Sequence, residues 1–222
     1  MPRPIKTLLT VLTFEAVLAT ILFVSAGRVD LPWVWALIAA HGVILFVGQM
    51  RMDPDLARER RSPGPAAGRD KLFTRAGALL LLIHLVIAGL DVGRFHWSPP
   101  PHVAVRVAAL GVFAAGMSLS MWAMAVNRFS SSVVRIQTER GHHVVDAGPY
   151  QYVRHPGYLG VLVSSVAGGV VIGSWWSLVP LGVLVALFAV RLHLEDRFLH
   201  RELDGYAAYA GRVRYRLVPG VW

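Results

Sequence analysis

Residues 157–190 read GYLGVLVSSVAGGVVIGSWWSLVPLGVLVALFAV, without one Asp, Glu, Lys or Arg. A helix needs about 20 apolar residues to cross a hydrocarbon core about 30 Å thick. The run is too long for one such helix and suits two. Residues 157–173 and 175–190 are therefore expected as a helical hairpin, joined by a very tight turn at Gly173-Ser174. Outward from it, four more stretches have the same character. Residues 7–27 are apolar except for Glu15, and residues 31–50 carry no charge. Residues 76–90 are clean and reach back to Leu72 if Arg75 snorkels. Residues 103–126 are apolar apart from Arg106. The expected fold is all-α: a polytopic membrane helix bundle of about six transmembrane helices.

The composition agrees. Of 222 residues, 55 % are hydrophobic and 16 % charged, and the mean hydropathy is +0.53. A soluble domain carries roughly 25 % charged residues, so this chain could not cover a water-facing surface of its size. The absence of cysteine excludes disulfides, thiolate metal sites and cysteine nucleophiles. No two histidines stand at i, i+4, so no metal site is expected. The first span follows basic residues and ends in Val24-Ser25-Ala26, which resembles a cleaved secretory signal. It is longer than a usual signal core and carries Glu15, so a retained helix is expected.

Lys and Arg number 22 against 13 Asp and Glu. With six spans and both termini cytoplasmic, 19 of the 22 basic residues fall in inner segments. Only Arg28, Arg94 and Arg106 fall outside. That is a strong positive-inside signal, and it accounts for the basic balance without nucleic acid. The inner segments are also the long ones: residues 51–71, 127–156 and 191–222. Polar chemistry, and any soluble co-substrate, therefore belongs on that side. The chain divides into N-terminal transmembrane helices over residues 1–126, with an inner loop at 51–71, and a ligand-binding region over residues 127–222.

Two inner motifs bracket the hairpin. Gly148-Pro149-Tyr150 is a turn signal, and Pro156 suits the first turn of a helix. Arg154 and His155 thus sit at the mouth of the fifth span, where a helix N-terminus favours a carboxylate or phosphate. A basic, aromatic interface anchor would look the same. At the hairpin's other end Glu195 and Asp196 are expected at a helix C-terminus, where acids oppose the macrodipole. Either they meet a cationic ligand, or the helix continues into water and Glu195 pairs with Arg191. Gly160, Ser164 and Gly168 form a small-residue stripe that allows close helix approach. Packed tightly, the hairpin would present an anion-binding end and an acid pair around one pocket, suited to a zwitterion.

These residues resemble the isoprenylcysteine carboxyl methyltransferase and phospholipid methyltransferase superfamily. The likeness lies in Gly148-Pro149-Tyr150, Arg154-His155-Pro156-x-Tyr158, Glu195-Asp196-x-x-Leu199 and the tail Leu203-Asp204-Gly205-Tyr206-x-x-Tyr209, and covers about residues 127–219. The loop with Asp53-Pro54-Asp55-Leu56 and Glu59-Arg60 looks like bacterial members. Asp196 departs from the family's usual second Glu. The resemblance implies S-adenosylmethionine as methyl donor. Gly148, Tyr150, His155, Pro156 and Tyr158 would line its pocket, with His142 nearby, and Glu195 would face its ammonium. Arg154 would serve the cofactor carboxylate or the acceptor, with Arg128 and Asn127 nearer the acceptor. Arg154, Arg128 and Glu195 are thus the expected catalytic residues. The acceptor should be lipophilic, a small molecule or lipidated substrate reached from the membrane lipids. A carboxylate acceptor needs no base, whereas an amine or phenol would need one, for which His142, His143 and Glu195 are open.

Two other readings compete. An NADPH-dependent membrane sterol or enone reductase shares His-Pro-x-Tyr, but usually has Asn after the Pro and an acid just past the Gly; Gly157 and Val161 stand there. A non-enzymatic scaffold would use Glu15, His41 and His84 as intramembrane polar groups, although such residues often only bond a neighbouring helix.

Overall fold

Inside hydrocarbon every backbone N–H and C=O must be bonded within its own segment, which the apolar stretches achieve as helices. The structure, a computed structural model, describes residues 2–63 and 68–222; residues 64–67 of the expected inner loop lie outside the described residues. The described residues hold helices and no strand. They are α1 (Arg3–Ala26), α2 (Pro32–Arg51), α3 (Pro54–Arg61), α4 (Gly68–Leu90), α5 (Val103–Val126), α6 (Pro156–Ile172), α7 (Leu178–Glu202) and α8 (Tyr206–Arg212). One π-helical turn, Asp91–Phe95, extends α4.

The protein is a polytopic helical membrane protein. Five helices are long and apolar enough to cross a bilayer: α1, α2, α4 with its extension, α5 and α7. The sixth expected span, α6, has 17 residues. Its rise is about 26 Å, at the short end for a span. Leu9, Leu12 and Val17 of α1, Val43 of α2, Val107 of α5 and Val183 of α7 are each more than half exposed; this is the apolar surface that lipid covers. In α1 the hydroxyls of Thr10, Thr13 and Thr20 donate to carbonyls one turn back, so these three do not meet lipid unbonded.

Two expectations about the hairpin are corrected. The stripe of Gly160, Ser164 and Gly168 does not bring α6 against α7. It packs α6 onto α5, where a Cβ on Gly160 would lie 2.5 Å from the Gly116 carbonyl oxygen and 2.6 Å from the Ser120 nitrogen. Gly116 faces the Ser164 nitrogen in the same way. The main partner of α7 is α4, with Phe188 and Leu184 beside Gly77. Second, α7 does not end at Glu195-Asp196 but runs on to Glu202, following the alternative of a helix that continues into water. Glu195 and Asp196 are therefore mid-helix, and the macrodipole argument does not apply to them.

The loops sort to two ends. At one, Asp91, fully buried, accepts from the Ser98 amide (2.8 Å) and hydroxyl (2.5 Å) and from the Ser174 hydroxyl (2.6 Å). Arg94 there donates to the Ser25 carbonyl (2.8 Å). At the other end gather residues 51–63, 127–156 and 191–222, the segments expected to share one side. The intramembrane polar residues are bonded to neighbouring helices. His41 Nδ1 lies 2.6 Å from Glu15 Oε1, and His84 Nδ1 is 2.8 Å from the Ser177 carbonyl.

Candidate functional site

The polar end encloses a cavity of about 440 Å³, within the range of small-molecule sites, roughly 300–1,000 Å³. Its walls come from α3, the inner ends of α4 and α5, the 127–145 loop, the start of α6, the polar third of α7 and α8.

Asp196 organises the floor. Its carboxylate, 1 % exposed, accepts from Arg154 Nε (2.9 Å) and Nη2 (3.2 Å), Arg216 Nε (2.9 Å) and the Tyr206 hydroxyl (2.9 Å). His155 Nε2 stands 3.4 Å away. A charge this deeply buried persists only when paired and hydrogen-bonded. Arg154 donates further to the carbonyls of Val213 (2.9 Å) and Arg214 (3.0 Å), so four of its five N–H groups serve the protein itself. The tail is strapped to the motif: the amides of Arg154 and His155 donate to the carbonyls of Tyr215 and Arg216 (both 2.9 Å). Pro156, fully buried, opens α6 behind this strap.

The ceiling comes from α3. Its start is written in Asp53-Pro54-Asp55: Asp53 Oδ1 caps the Asp55 amide (2.7 Å) and proline takes the first turn. Leu56, fully buried, docks among Met52, Met121 and Met124. Three residues on, the buried Glu59 accepts from Arg135 at both oxygens (3.2 and 2.9 Å) and from the Ser131 hydroxyl (2.9 Å). These anchors aim Arg60 into the cavity, where its Nη1 donates to the Ser130 carbonyl (2.9 Å).

Four arginines line the cavity, Arg60, Arg135, Arg154 and Arg191, and among the described residues Glu195 is the only carboxylate that does. Glu195 Oε2 accepts from the Tyr158 hydroxyl (2.7 Å). Arg191 pairs with Asp70 (2.9 Å) rather than with Glu195. Tyr150, Tyr206, Tyr209, Leu199 and Leu203 supply aromatic and apolar wall, and Met117, Met121 and Phe188 line the part nearest the membrane. Burial pushes the Tyr150 hydroxyl up to about 12, so it stays protonated.

His142 is a donor rather than a base. The Gln137 amide donates to its Nδ1 (3.2 Å), which places the ring hydrogen on Nε2. The ring stacks on Phe129, centroids 4.6 Å apart. Desolvation, then the charges of His143 and nearby arginines, bring its pKa down to about 4. At neutral pH His142 therefore offers an N–H.

Of the residues singled out in the sequence, Tyr150, Arg154, His155, Tyr158, Glu195, His142 and Asn127 line the cavity. Arg128, Gly148 and Pro156 do not. Arg128 reaches Asp55 (3.1 Å) at the surface. Gly148, at φ +56°, forms the turn behind the wall, where a Cβ would press on Val126 and Trp122. Arg60, Arg135, Arg191 and Arg216 were not expected at the site. For Arg60 the one sequence signal is the spacing of Leu56 and Glu59, which puts an apolar anchor and an acid on one face of a short helix.

The model of the isoprenylcysteine carboxyl methyltransferase (ICMT) family matches residues 108–201. Over these residues, under half of its length, the chain is similar to that family. The matched stretch runs from α5 through the polar part of α7 and carries Tyr150, His155, Tyr158 and Glu195; α3 and the tail lie outside it. The chain is also similar to protein-S-isoprenylcysteine O-methyltransferase B of Arabidopsis thaliana, 34 % identical over 88 residues, covering 39 % of this chain and 45 % of that protein. The likeness thus spans less than half the length of that relative. Among the described residues no group of three or more His, Asp or Glu could hold a metal ion.

Proposed function

We propose that the protein transfers a methyl group from S-adenosylmethionine to the carboxylate of a lipophilic acceptor at the membrane surface. The single observation that carries this reading is the charge pattern of one cavity: one carboxylate, Glu195, in a ring of arginines, over a floor open to apolar wall.

The residues present fit the cofactor. Its ammonium needs an acid, which Glu195 supplies, held in place by Tyr158. Its carboxylate needs donors, and His155 and the first turn of α6 stand at that end. Its adenosine needs aromatic and apolar cover, which Tyr150, Tyr206, Tyr209 and Leu199 provide. When bound, S-adenosylmethionine supplies a sulfonium methyl already activated for transfer.

The protein's own part is alignment and exclusion of water. Fixing two reactants in line is worth roughly 7–11 kcal/mol of barrier. Asp196 and Arg154 lock the floor, and the tail strap closes it. An acceptor carboxylate oxygen donates its lone pair to form the new O–CH3 bond. Bound S-adenosylmethionine would give up its methyl to that oxygen and keep the C–S electrons as a neutral thioether. No proton moves, which suits a cavity whose central histidine is a donor. The Met117, Met121 and Phe188 wall would hold the acceptor's hydrocarbon part, with membrane lipids as its source. Both termini and the cavity face the cytoplasm in this reading, where S-adenosylmethionine is made.

The test is methyl transfer from labelled donor to a membrane lipid extract, with mass identification of the product. Recovery of base-labile methyl esters is expected. Base-stable N-methyl products, or none, would overturn the reading.

A further inference from the structure

Three of the four cavity arginines are neutralised within the protein. Arg154 faces Asp196, Arg135 faces Glu59 and Glu139, and Arg191 faces Asp70. Arg60 differs. Its Nη1 bonds the Ser130 carbonyl, and among the described residues no carboxylate lies within ion-pair distance of it. The residue keeps access to water, and partial desolvation together with the Arg191 charge holds its pKa below the ordinary value. The helix that presents Arg60 is built to hold it there. Leu56 is fully buried, Asp53 caps the first turn, and Glu59, one residue before, is clamped by Arg135 and Ser131. A short helix so firmly docked, with its next side chain aimed into a cavity and left without an anion, is a preorganised anion receptor.

We infer that Arg60 is the residue that selects the acceptor, binding its carboxylate and discriminating it from the neutral methyl ester. This rests on the carboxylate-methylation reading and adds the residue that makes the reaction directional. Glu195 is committed to the cationic cofactor, so the acceptor's negative charge needs its own partner, and Arg60 is the cavity cation with that capacity. Methylation removes the charge. The attraction to Arg60 is then lost in the same event, and the ester is free to leave into the bilayer. Arg60 lies outside residues 108–201, so the matched family segment supplies the cofactor side while α3 supplies acceptor choice.

The test uses the full-length chain in phospholipid nanodiscs. Affinity is measured for an N-acetyl S-farnesylcysteine and for its methyl ester, with S-adenosylhomocysteine affinity alongside. The wild type should bind the acid at least about ten-fold tighter than the ester, the scale of one charge-assisted hydrogen bond. Arg60→Gln should bring the acid down to the ester's affinity and leave S-adenosylhomocysteine binding within two-fold. Arg60→Lys should keep part of the preference, and Arg61→Gln, at the neighbouring position that does not line the cavity, all of it. Equal affinity for acid and ester in the wild type would overturn the inference. So would an undiminished preference in Arg60→Gln, or loss of S-adenosylhomocysteine binding in that variant, which would make Arg60 a residue of the cofactor side or of the fold. A wild type that prefers the acid but never methylates it would sink the proposed reaction while leaving Arg60 as the carboxylate receptor.

Discussion

Arg154 and Asp196, forty-two positions apart in sequence, meet as a buried two-point ion pair, Nε to Oδ1 at 2.9 Å and Nη2 to Oδ2 at 3.2 Å. The pair ties the entrance of α6 to the middle of α7, and Arg216 and Tyr206 complete it from the tail. It explains why two adjacent acids have different tasks. Asp196 points into the protein, while Glu195 points into the cavity.

Asp196→Asn should therefore act through the fold. Leaving the buried Arg154, with the partly exposed Arg216 beside it, without their anion costs about 3–5 kcal/mol. The melting temperature in detergent should drop sharply, and cofactor binding should fail with it. Glu195→Gln should melt near the wild type yet bind S-adenosylhomocysteine more weakly, by about 1.5–3 kcal/mol for one charge-assisted hydrogen bond. Thermal denaturation and calorimetry on both variants check this. Matching losses of stability would refute the division of labour.

Gly160 and Gly168 should respond differently to a side chain. A Cβ at 160 meets the backbone of Gly116 and Ser120, which cannot swing aside, whereas at 168 the nearest atoms are ring and methyl carbons of Phe113 and Leu37 at 3.7–3.8 Å. Gly160→Ala should cost about 1–3 kcal/mol as overpacking and reduce cofactor affinity by shifting α6. Gly168→Ala should be nearly silent. Affinity and melting measurements would expose a reversed order.

The low pKa of His142, about 4, links stability to pH. The unfolded ring, near 6.5, binds a proton that the folded ring refuses. Its contribution is fully present above about 6.5 and declines as pH falls toward 4. The melting temperature of the wild type should fall between pH 7 and pH 5 more than that of His142→Gln. Parallel curves would show that the ring is not held neutral.

Arg3 donates to the Gln49 and Met52 carbonyls, so the start of α1 lies with residues 51–63, 127–156 and 191–222, which requires an even number of crossings between the chain ends. Reporter fusions after Met50, Gly93, Asn127 and Trp222 should read outside only at Gly93. An outside signal at Asn127 would separate α3 and the 127–145 loop from α7 and dismantle the cavity.

The membrane character, the helical fold and the positions of the bends were legible in the sequence, because each depends on local content. Twenty apolar residues in a row have one stable conformation in hydrocarbon, and Gly173-Ser174 interrupts the charge-free run where the chain turns. The grouping of loops by side followed from the skew of Arg and Lys. The motif residues Tyr150, His155, Tyr158 and Glu195 were identifiable through the family resemblance that their motifs carry.

Partner choice was not legible. Gly160 and Ser164 announce a close helix contact, but a small-residue stripe does not name its partner, and complementary small residues on α5, Gly116 and Ser120, drew α6 there instead of onto α7. The end of α7 was misplaced because polar residues after Val190 mark where a helix leaves the membrane, and nothing in them stops it. The roles of Arg154, Asp196 and Arg60 are matters of pairing across distant segments. By itself the sequence determined which residues could carry charge at the inner surface. Only the tertiary structure decided which charges cancel, through burial that forces Arg154 onto Asp196 and Arg135 onto Glu59, and so which one, Arg60, is left facing the cavity.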